Sequence, residues 1–334
     1  MSIRFAINGL GRIGRALVRV AAERPDLELV AVNDLGTAEQ LAPLLARDSL
    51  HGRFALDVAT EDGDLLIGNR RVATHQEPAA EKIPWETGEP QIVLDSTGWC
   101  ISPERARVHR RGSVQKVLVS ANAKGLDLTI CMGVNDDQYD PASHHLLSAA
   151  SCTTNCLAPV ALVLDRAFTI NRALLNTVHS YNNDQRLLSY PHRDPRRARA
   201  AAINMVPTTT SAVEAVCRVL PELTGKIEGF AVRVPTPLVS LIDLVVDLDR
   251  RPTITEINDA FRQAAAGDLE GILAVTEEEL VSSDFLGDPH SAIVDLPLTQ
   301  TVQDRLFRVV AWYDNEWGHA SRLADLLQLA GRSL

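Results

Sequence analysis

The hydrophobic positions in the first half of the chain switch repeatedly between two periods. Residues 3–8 form a short β-prone run that stops at Gly9, after which Ile13, Leu17, Val18 and Ala21 recur at helical spacing. Residues 27–32 predict the next strand and 38–46 the next helix. Further strands are expected at 92–94, 117–120 and 128–132, with a helix at 103–110 between the first two. Strands separated by helices predict a mostly parallel sheet with covered faces.

The texture changes after Cys156. Residues 176–179, 230–234, 239–248 and 307–312 read as longer strands, and 207–220 and 255–266 as helices. That arrangement predicts an α+β unit with a mainly antiparallel sheet. Residues 181–202 are rich in Arg, His, Pro and Asn and have little periodicity. They read as a long ordered loop, and loops of that length are usually functional. Residues 318–329 carry the pattern of an amphipathic helix.

Gly9-Leu10-Gly11-Arg12-Ile13-Gly14 places G-x-G-x-x-G between a strand and a helix. Glycines there permit a tight turn, a close approach of backbone to pyrophosphate, and close helix–strand contact, with the helix N-terminus facing the phosphates. Asp34 ends the second strand, where a carboxylate can accept hydrogen bonds from the adenosine ribose hydroxyls and repel a 2′-phosphate. The fold class predicted is therefore α/β, a Rossmann-type dinucleotide-binding domain followed by an α+β catalytic domain. The expected division is 1–151, completed by the C-terminal helix 318–334, and 152–317. The cofactor expected is NAD rather than NADP.

Ala150-Ser151-Cys152-Thr153-Thr154-Asn155-Cys156 is the second chemical signal, with His179 in Thr177-Val178-His179-Ser180. A histidine brought beside Cys152 would lower the thiol pKa and move protons. In isolation Cys152 would read as an inert buried thiol; the glycine loop at the other end of the chain favours the catalytic reading. The five cysteines show no Cys-x2-Cys pairing, so neither a metal site nor a disulfide framework is expected. Cys100, Cys131 and Cys217 are expected to be packing residues. His51, His75, His109, His144, His145, His192 and His290 are expected to be surface or structural.

Composition narrows the classes. The 334 residues suffice for roughly two domains, at about 100–200 residues each. A hydrophobic share of 46% supports substantial cores, and a net charge of −10 argues against a dedicated nucleic-acid or anionic-membrane surface. No run approaches the ~20 apolar residues of a membrane span, and the first residues lead directly into a strand pattern. A cytoplasmic protein is expected.

With these residues in view, the chain resembles the phosphorylating glyceraldehyde-3-phosphate dehydrogenase family along nearly its whole length. The likeness rests on residues 5–15, 48–54, 150–159, 233–237 and 312–318. It implies that Cys152 attacks an aldehyde and His179 moves protons. Hydride passes to NAD, and inorganic phosphate then cleaves the thioester. It further implies cofactor contacts from Gly9, Gly11, Arg12, Ile13, Gly14, Asp34, Ser120 and Asn315. Arg233, oriented by Asp184 and helped by Asn182, would hold the substrate phosphate. Ser151, Thr153, Thr210 and Ser211 would receive the attacking phosphate. The 181–202 loop resembles one that lies at a subunit interface, so a homotetramer is expected, and Pro191 within it matches NAD-preferring members.

Several positions depart from the family pattern. Asn182 stands where Thr is usual, Ser211 where Gly is usual, Cys100 where an aromatic flanks the adenine, Asn122 for Pro, Leu238 for Asn, and His319 for an aromatic. These keep open an erythrose-4-phosphate dehydrogenase, with water as acyl acceptor. A non-catalytic NAD or redox sensor is the reading from another class; intact Cys152, His179, Asn315 and Arg233 argue against it.

Overall fold

The computed structural model describes residues 2–334. The chain divides into two units, one of residues up to 130, 137–150 and 320–334, the other of 131–136 and 151–319.

In the first unit β1 (Ile3–Asn8), α1 (Arg12–Ala22), β2 (Leu27–Asn33) and α2 (Ala38–Ala46) follow in the predicted order. A ribbon of β3 (Arg47–Asp48) and β4 (Gly52–Arg53) leads to β5 (Val58–Glu61), β6 (Asp64–Ile67) and β7 (Arg70–His75). Then come β8 (Ile92–Asp95), α3 (Pro103–Arg107), β9 (Lys116–Val119), β10 (Leu128–Thr129) and β11 (Leu146–Ser148). Nine strands form one sheet in the order β10-β11-β9-β8-β1-β2-β7-β6-β5. The pairs from β10 to β7 are parallel, and β7, β6 and β5 are antiparallel.

The chain leaves β1 for β2 on one side and returns to β8 on the other, so the order reverses beside β1. At such a reversal the loops at the carboxyl ends of the strands open a crevice. Asn8, Asn33 and Asp95 end the three strands in register. Below them Phe5, Ile7, Val93, Leu94 and Leu118 are fully buried, each worth about 1.5–3 kcal/mol relative to exposure.

The second unit opens with α4 (Cys152–Phe168) and β12 (Ile170–Ser180). It continues through β13 (Val206–Thr208), α5 (Ala212–Val219), β14 (Ile227–Val234), β15 (Ser240–Leu248), α6 (Ile254–Ala265), β16 (Leu273–Thr276), β17 (Ala292–Asp295), β18 (Gln300–Val302) and β19 (Leu306–Tyr313). Its sheet runs β13-β14-β12-β15-β19-β17-β16, with β18 beside β19. The pairs β12–β14 and β16–β17 are parallel and the others antiparallel. α7 (Trp317–Gly331) follows. Among the described residues no helix is long and apolar enough to cross a membrane.

The helix expected at 207–220 is shorter than predicted. Pro207 and Thr208 belong to the edge strand β13, and α5 begins only at Ala212. Proline lacks the N–H for a central ladder and suits an edge strand, while consecutive β-branched threonines favour extended backbone. α3 and β10 also end earlier than expected, at Arg107 and Thr129.

Candidate active site

Cys152 is the first residue of α4. Ser151 is its N-cap: the Ser151 Oγ accepts from Thr154 N–H at 3.2 Å and meets Thr154 Oγ1 at 2.7 Å. The cap closes one orphan amide and leaves the sulfur at the positive end of a 17-residue helix, where an anion is favoured.

His179 comes from a different element. β12 pairs in parallel with β14, and the register sets His179 opposite Arg233. Paired residues on neighbouring strands share a face of the sheet. Cys152 Sγ and His179 Nε2 are 3.5 Å apart. His179 Nδ1 lies 2.8 Å from the Ser180 carbonyl oxygen, and Arg233 Nη1 lies 2.5 Å from Nδ1 and 3.1 Å from the same carbonyl. Nδ1 can donate to Ser180 or accept from Arg233, but not both. Donation to Ser180 turns the Nε2 lone pair to the sulfur, as a base requires; this tautomer is assigned on function.

Burial and neighbouring charge both act on this pair. Burial lowers His179 to about 3, reinforced by the Arg233 cation and opposed by the Ser180 carbonyl. Burial likewise raises the Cys152 thiol, against the pull of Arg233 and of hydrogen bonds from the Thr153 hydroxyl and amide. Burial thus opposes both charged forms, while Arg233, Thr153 and the N-terminus of α4 favour the thiolate.

Asn315 is fixed by two hydroxyls: Ser180 Oγ and Ser240 Oγ donate to its Oδ1 at 3.0 and 3.1 Å. With the oxygen occupied, the amide nitrogen is the group that can serve a ligand. Thr153 Oγ1 meets the buried Tyr313 hydroxyl at 2.9 Å, and Tyr313 meets Thr177 Oγ1 at 3.0 Å. Burial raises the Tyr313 phenol, so it remains protonated. Thr210 Oγ1 accepts from Ala212 N–H, and the exposed Ser211 holds the N-cap position of α5 without a side-chain cap hydrogen bond.

Asp184 is paired with Arg197 and His192 rather than with Arg233. Asn182 is exposed, and its Oδ1 accepts from Asp184 N–H at 3.2 Å. Arg197, Tyr313, Ser180 and Ser240 were not among the site residues expected from sequence. Arg197 is one of several arginines in an aperiodic loop, and the three hydroxyl residues lie on strands whose contacts are set by register.

In the first unit a cavity of about 670 Å³ opens at the carboxyl ends of the strands, lined by Asn8, Gly9, Gly11, Asp34 and Thr97 among others. Asp34 Oδ2 accepts from Leu10 N–H at 2.7 Å and Oδ1 from Gly36 N–H at 3.1 Å. The carboxylate is thus locked beside the glycine loop with lone pairs to spare. Gly9 has φ +94°, and a Cβ there would sit 2.9 Å from the Thr97 amide nitrogen. A Cβ on Gly14 would collide with the Gly9 carbonyl oxygen, whereas one on Gly11 would meet nothing within 4 Å. The Gly11 backbone alone faces open space, the approach a pyrophosphate needs. Arg12 and Ile13 open α1, and Ser120 N–H donates to the Asp95 carbonyl at 2.9 Å beyond β9. These residues fit a dinucleotide.

Asp95, Cys100 and His109 are buried along the same cavity, with potential donor atoms within 4.8 Å of one another. Trp85 Nε1–H donates to His109 Nδ1 at 3.3 Å, which places the imidazole hydrogen on Nε2, 3.3 Å from Asp95 Oδ2. Nε2 makes no hydrogen bond there, and with its hydrogen in place it has no lone pair to offer a metal. Burial and Asp95 raise the Cys100 thiol to about 12, as suits a packing residue.

Comparison with known proteins agrees with this geometry. A profile described as the glyceraldehyde 3-phosphate dehydrogenase NAD binding domain matches residues 3–103, and one for the C-terminal domain of the same enzyme matches 151–315. The glyceraldehyde-3-phosphate dehydrogenase of Geobacillus stearothermophilus is 49% identical, over 98% of this chain and 97% of its own length. That of Streptomyces coelicolor is 48% identical over the whole of both chains. Glyceraldehyde-3-phosphate dehydrogenase 1 of Bacillus subtilis is 47% identical, over 98% of this chain and 97% of its own. A dinucleotide-type cavity, a helix-capped cysteine with its histidine, and full-length similarity of this order lead to one conclusion: the chain belongs to the glyceraldehyde-3-phosphate dehydrogenase family and is an NAD-dependent oxidoreductase.

Proposed function

We propose that the chain oxidises D-glyceraldehyde 3-phosphate to 1,3-bisphosphoglycerate through a thioester on Cys152. The observation that carries this reading is the 3.5 Å approach of Cys152 Sγ to His179 Nε2 at the N-terminus of α4, with Arg233 alongside. Arg233 receives the substrate phosphate as a guanidinium fork. Sulfur bonds to the aldehyde carbon, and the thiol proton travels through Nε2 to the carbonyl oxygen, giving a thiohemiacetal. His179 Nε2 then removes the hydroxyl proton as that carbon is oxidised, leaving a thioester. NAD, when bound, supplies the hydride acceptor. Asn315 is suited to hold the carboxamide through its amide nitrogen, and Asp34 to hold the adenosine ribose. A phosphate oxygen attacks the thioester carbon, the C–S bond breaks, and the sulfur recovers its proton.

The attacking phosphate needs a second anion site, built from Ser151, Thr153, Thr210, Ser211 and Arg197. Arg197 acts electrostatically on both His179 and Arg233, which supports counting it with this site. Asn182 and Asp184 border the substrate-phosphate side through the 181–202 loop. We further propose a cytoplasmic homotetramer. Leu187, Leu188, Tyr190, Ile203 and Met205 are each more than two-thirds exposed, an apolar surface that self-association would cover.

The test is NADH formation with NAD and glyceraldehyde 3-phosphate or erythrose 4-phosphate, with and without inorganic phosphate. The triose-phosphate should be preferred and phosphate should be required. NADH production from erythrose 4-phosphate that ignores inorganic phosphate would assign water as the acyl acceptor. No turnover with either aldehyde would favour the non-catalytic sensor.

A further inference from the structure

The irregular loop 181–202 holds a closed circuit of side chains. Arg197 Nη1 donates to Asp184 Oδ2, and Arg197 Nε donates to Thr208 Oγ1 at 2.8 Å. Thr208 Oγ1 passes its own hydrogen to Asp194 Oδ2 at 2.7 Å. Asp194 N–H donates to His192 Nδ1 at 2.9 Å, and His192 Nε2 returns to Asp184 Oδ1 at 3.4 Å. With Nδ1 accepting from the Asp194 amide rather than donating to the Asp194 carbonyl oxygen 3.1 Å away, Nε2 carries the hydrogen toward Asp184.

The circuit determines what Arg197 has left. Nη2 also donates to the Thr209 carbonyl oxygen at 3.2 Å. A guanidinium has five N–H donors, and three are spent on Thr208, Asp184 and Thr209. One remains on each terminal nitrogen, available to an oxyanion. Arginine ordinarily loses rotamer freedom when it orders on a ligand; here the folded loop has already ordered it. Thr208 and Thr209 directly precede Thr210, so the fork and that hydroxyl are anchored to one segment.

We propose that Asp194 and Thr208 are positioning residues for the attacking phosphate. Together with Asp184 and His192 they hold Arg197 in the one orientation that presents its two remaining donors. Burial works to raise the Asp184 carboxyl, but hydrogen bonds from Arg197 and His192 hold it below the usual range. Hydrogen bonds from the Thr208 hydroxyl and the Arg196 amide do the same for Asp194. Both carboxylates are thus anionic at working pH, as the circuit needs.

This inference rests on the phosphate-dependent reaction proposed above, and steady-state kinetics separate the two. The wild type is first titrated with inorganic phosphate. An NADH rate that ignores phosphate overturns both the reaction and the positioning role. Given a saturable dependence, Asp194→Ala and Thr208→Val are compared in the full-length enzyme. Each should raise KM for phosphate about tenfold, from the loss of one charge-assisted contact. KM for NAD and for the aldehyde should stay within twofold. The double variant should be no worse than the single ones, because both open the same circuit. The positioning role is overturned if KM for phosphate stays within twofold in both variants. It is equally overturned if all three KM values rise together, the mark of general loosening, or if the two effects on phosphate add.

Discussion

The three glycines of the loop after β1 make separable contributions, which substitution by alanine can resolve. Gly11 has φ −70° as the N-cap of α1, and an added methyl meets no protein atom within 4 Å. Alanine caps a helix less well than glycine, costing about 0.5–1 kcal/mol. It also restricts the unfolded chain, gaining about 0.4–1 kcal/mol. The two nearly cancel, so Gly11→Ala should unfold at the wild-type urea midpoint. Its methyl would occupy the space through which a pyrophosphate approaches the backbone. Losing one charge-assisted hydrogen bond there costs about 1.5–3 kcal/mol, which is roughly a 10- to 100-fold weaker NAD affinity. Gly14→Ala should behave in the opposite way. Its methyl collides with the Gly9 carbonyl and lies 3.2 Å from Ser96 Oγ, so the loop must shift, at about 1–3 kcal/mol of stability. Gly9→Ala adds an unfavourable positive φ to contact with the Thr97 backbone. Urea unfolding and equilibrium NAD titration of the three variants are the assays. NAD binding within twofold of wild type by Gly11→Ala would refute the assignment of that open space to the cofactor. An unchanged unfolding midpoint for Gly14→Ala would refute the collision.

Cys152→Ser should form no acyl-enzyme in a single-turnover assay while binding NAD within twofold of wild type; retained NADH formation would remove the sulfur from the mechanism. His179 predicts a pH dependence of stability. Its folded pKa lies near 3, against about 6.5 in the unfolded chain, so between those values the unfolded state binds more protons. Stability is therefore fully present above about pH 6.5 and declines as pH falls toward 3. The drop in urea midpoint between about pH 7.5 and 5.5 should be smaller in His179→Asn, and equal drops in both proteins would sink the idea.

What could be read from the chain depended on whether a feature is local. The strand, glycine loop and helix at 3–22 announce themselves because each element carries its own period and the turn between them demands glycine. The Cys152 cap is equally local. The hairpin of β5 and β6 was missed although its signal was present. Asp62 and Gly63 both have positive φ and form the two-residue turn between paired Glu61 and Asp64, a strong Asp-Gly hairpin mark. The flanking residues alternate between intermediate and exposed in β5, so no hydrophobic run drew attention to them. The helical pattern that starts at Ala212 does not extend back over 207–211, where Pro207 and Thr208 belong to an edge strand, Thr209 and Thr210 to a connection, and Ser211 to the N-cap position. Pairings across the sheet, such as Ser240 with Tyr313, and the partner chosen by Asp184 depend on residues far apart in sequence. No local pattern encodes them.

The pairing of His179 with Arg233 across β12 and β14 has a consequence for how such a site can change. Neighbouring strands stand about 4.8 Å apart whatever side chains they carry. The separation of His179 and Arg233 is therefore set by backbone hydrogen bonds along eight paired positions. Sliding one strand by a single residue would turn its side chains to the opposite face, so intermediate spacings are not available. A longer or shorter substrate has to be met by the loops beyond the strands, 181–202 and 235–239, which lie outside that ladder. The sheet thus acts as a fixed ruler for the reaction, and variation in substrate length is confined to the segments at its end.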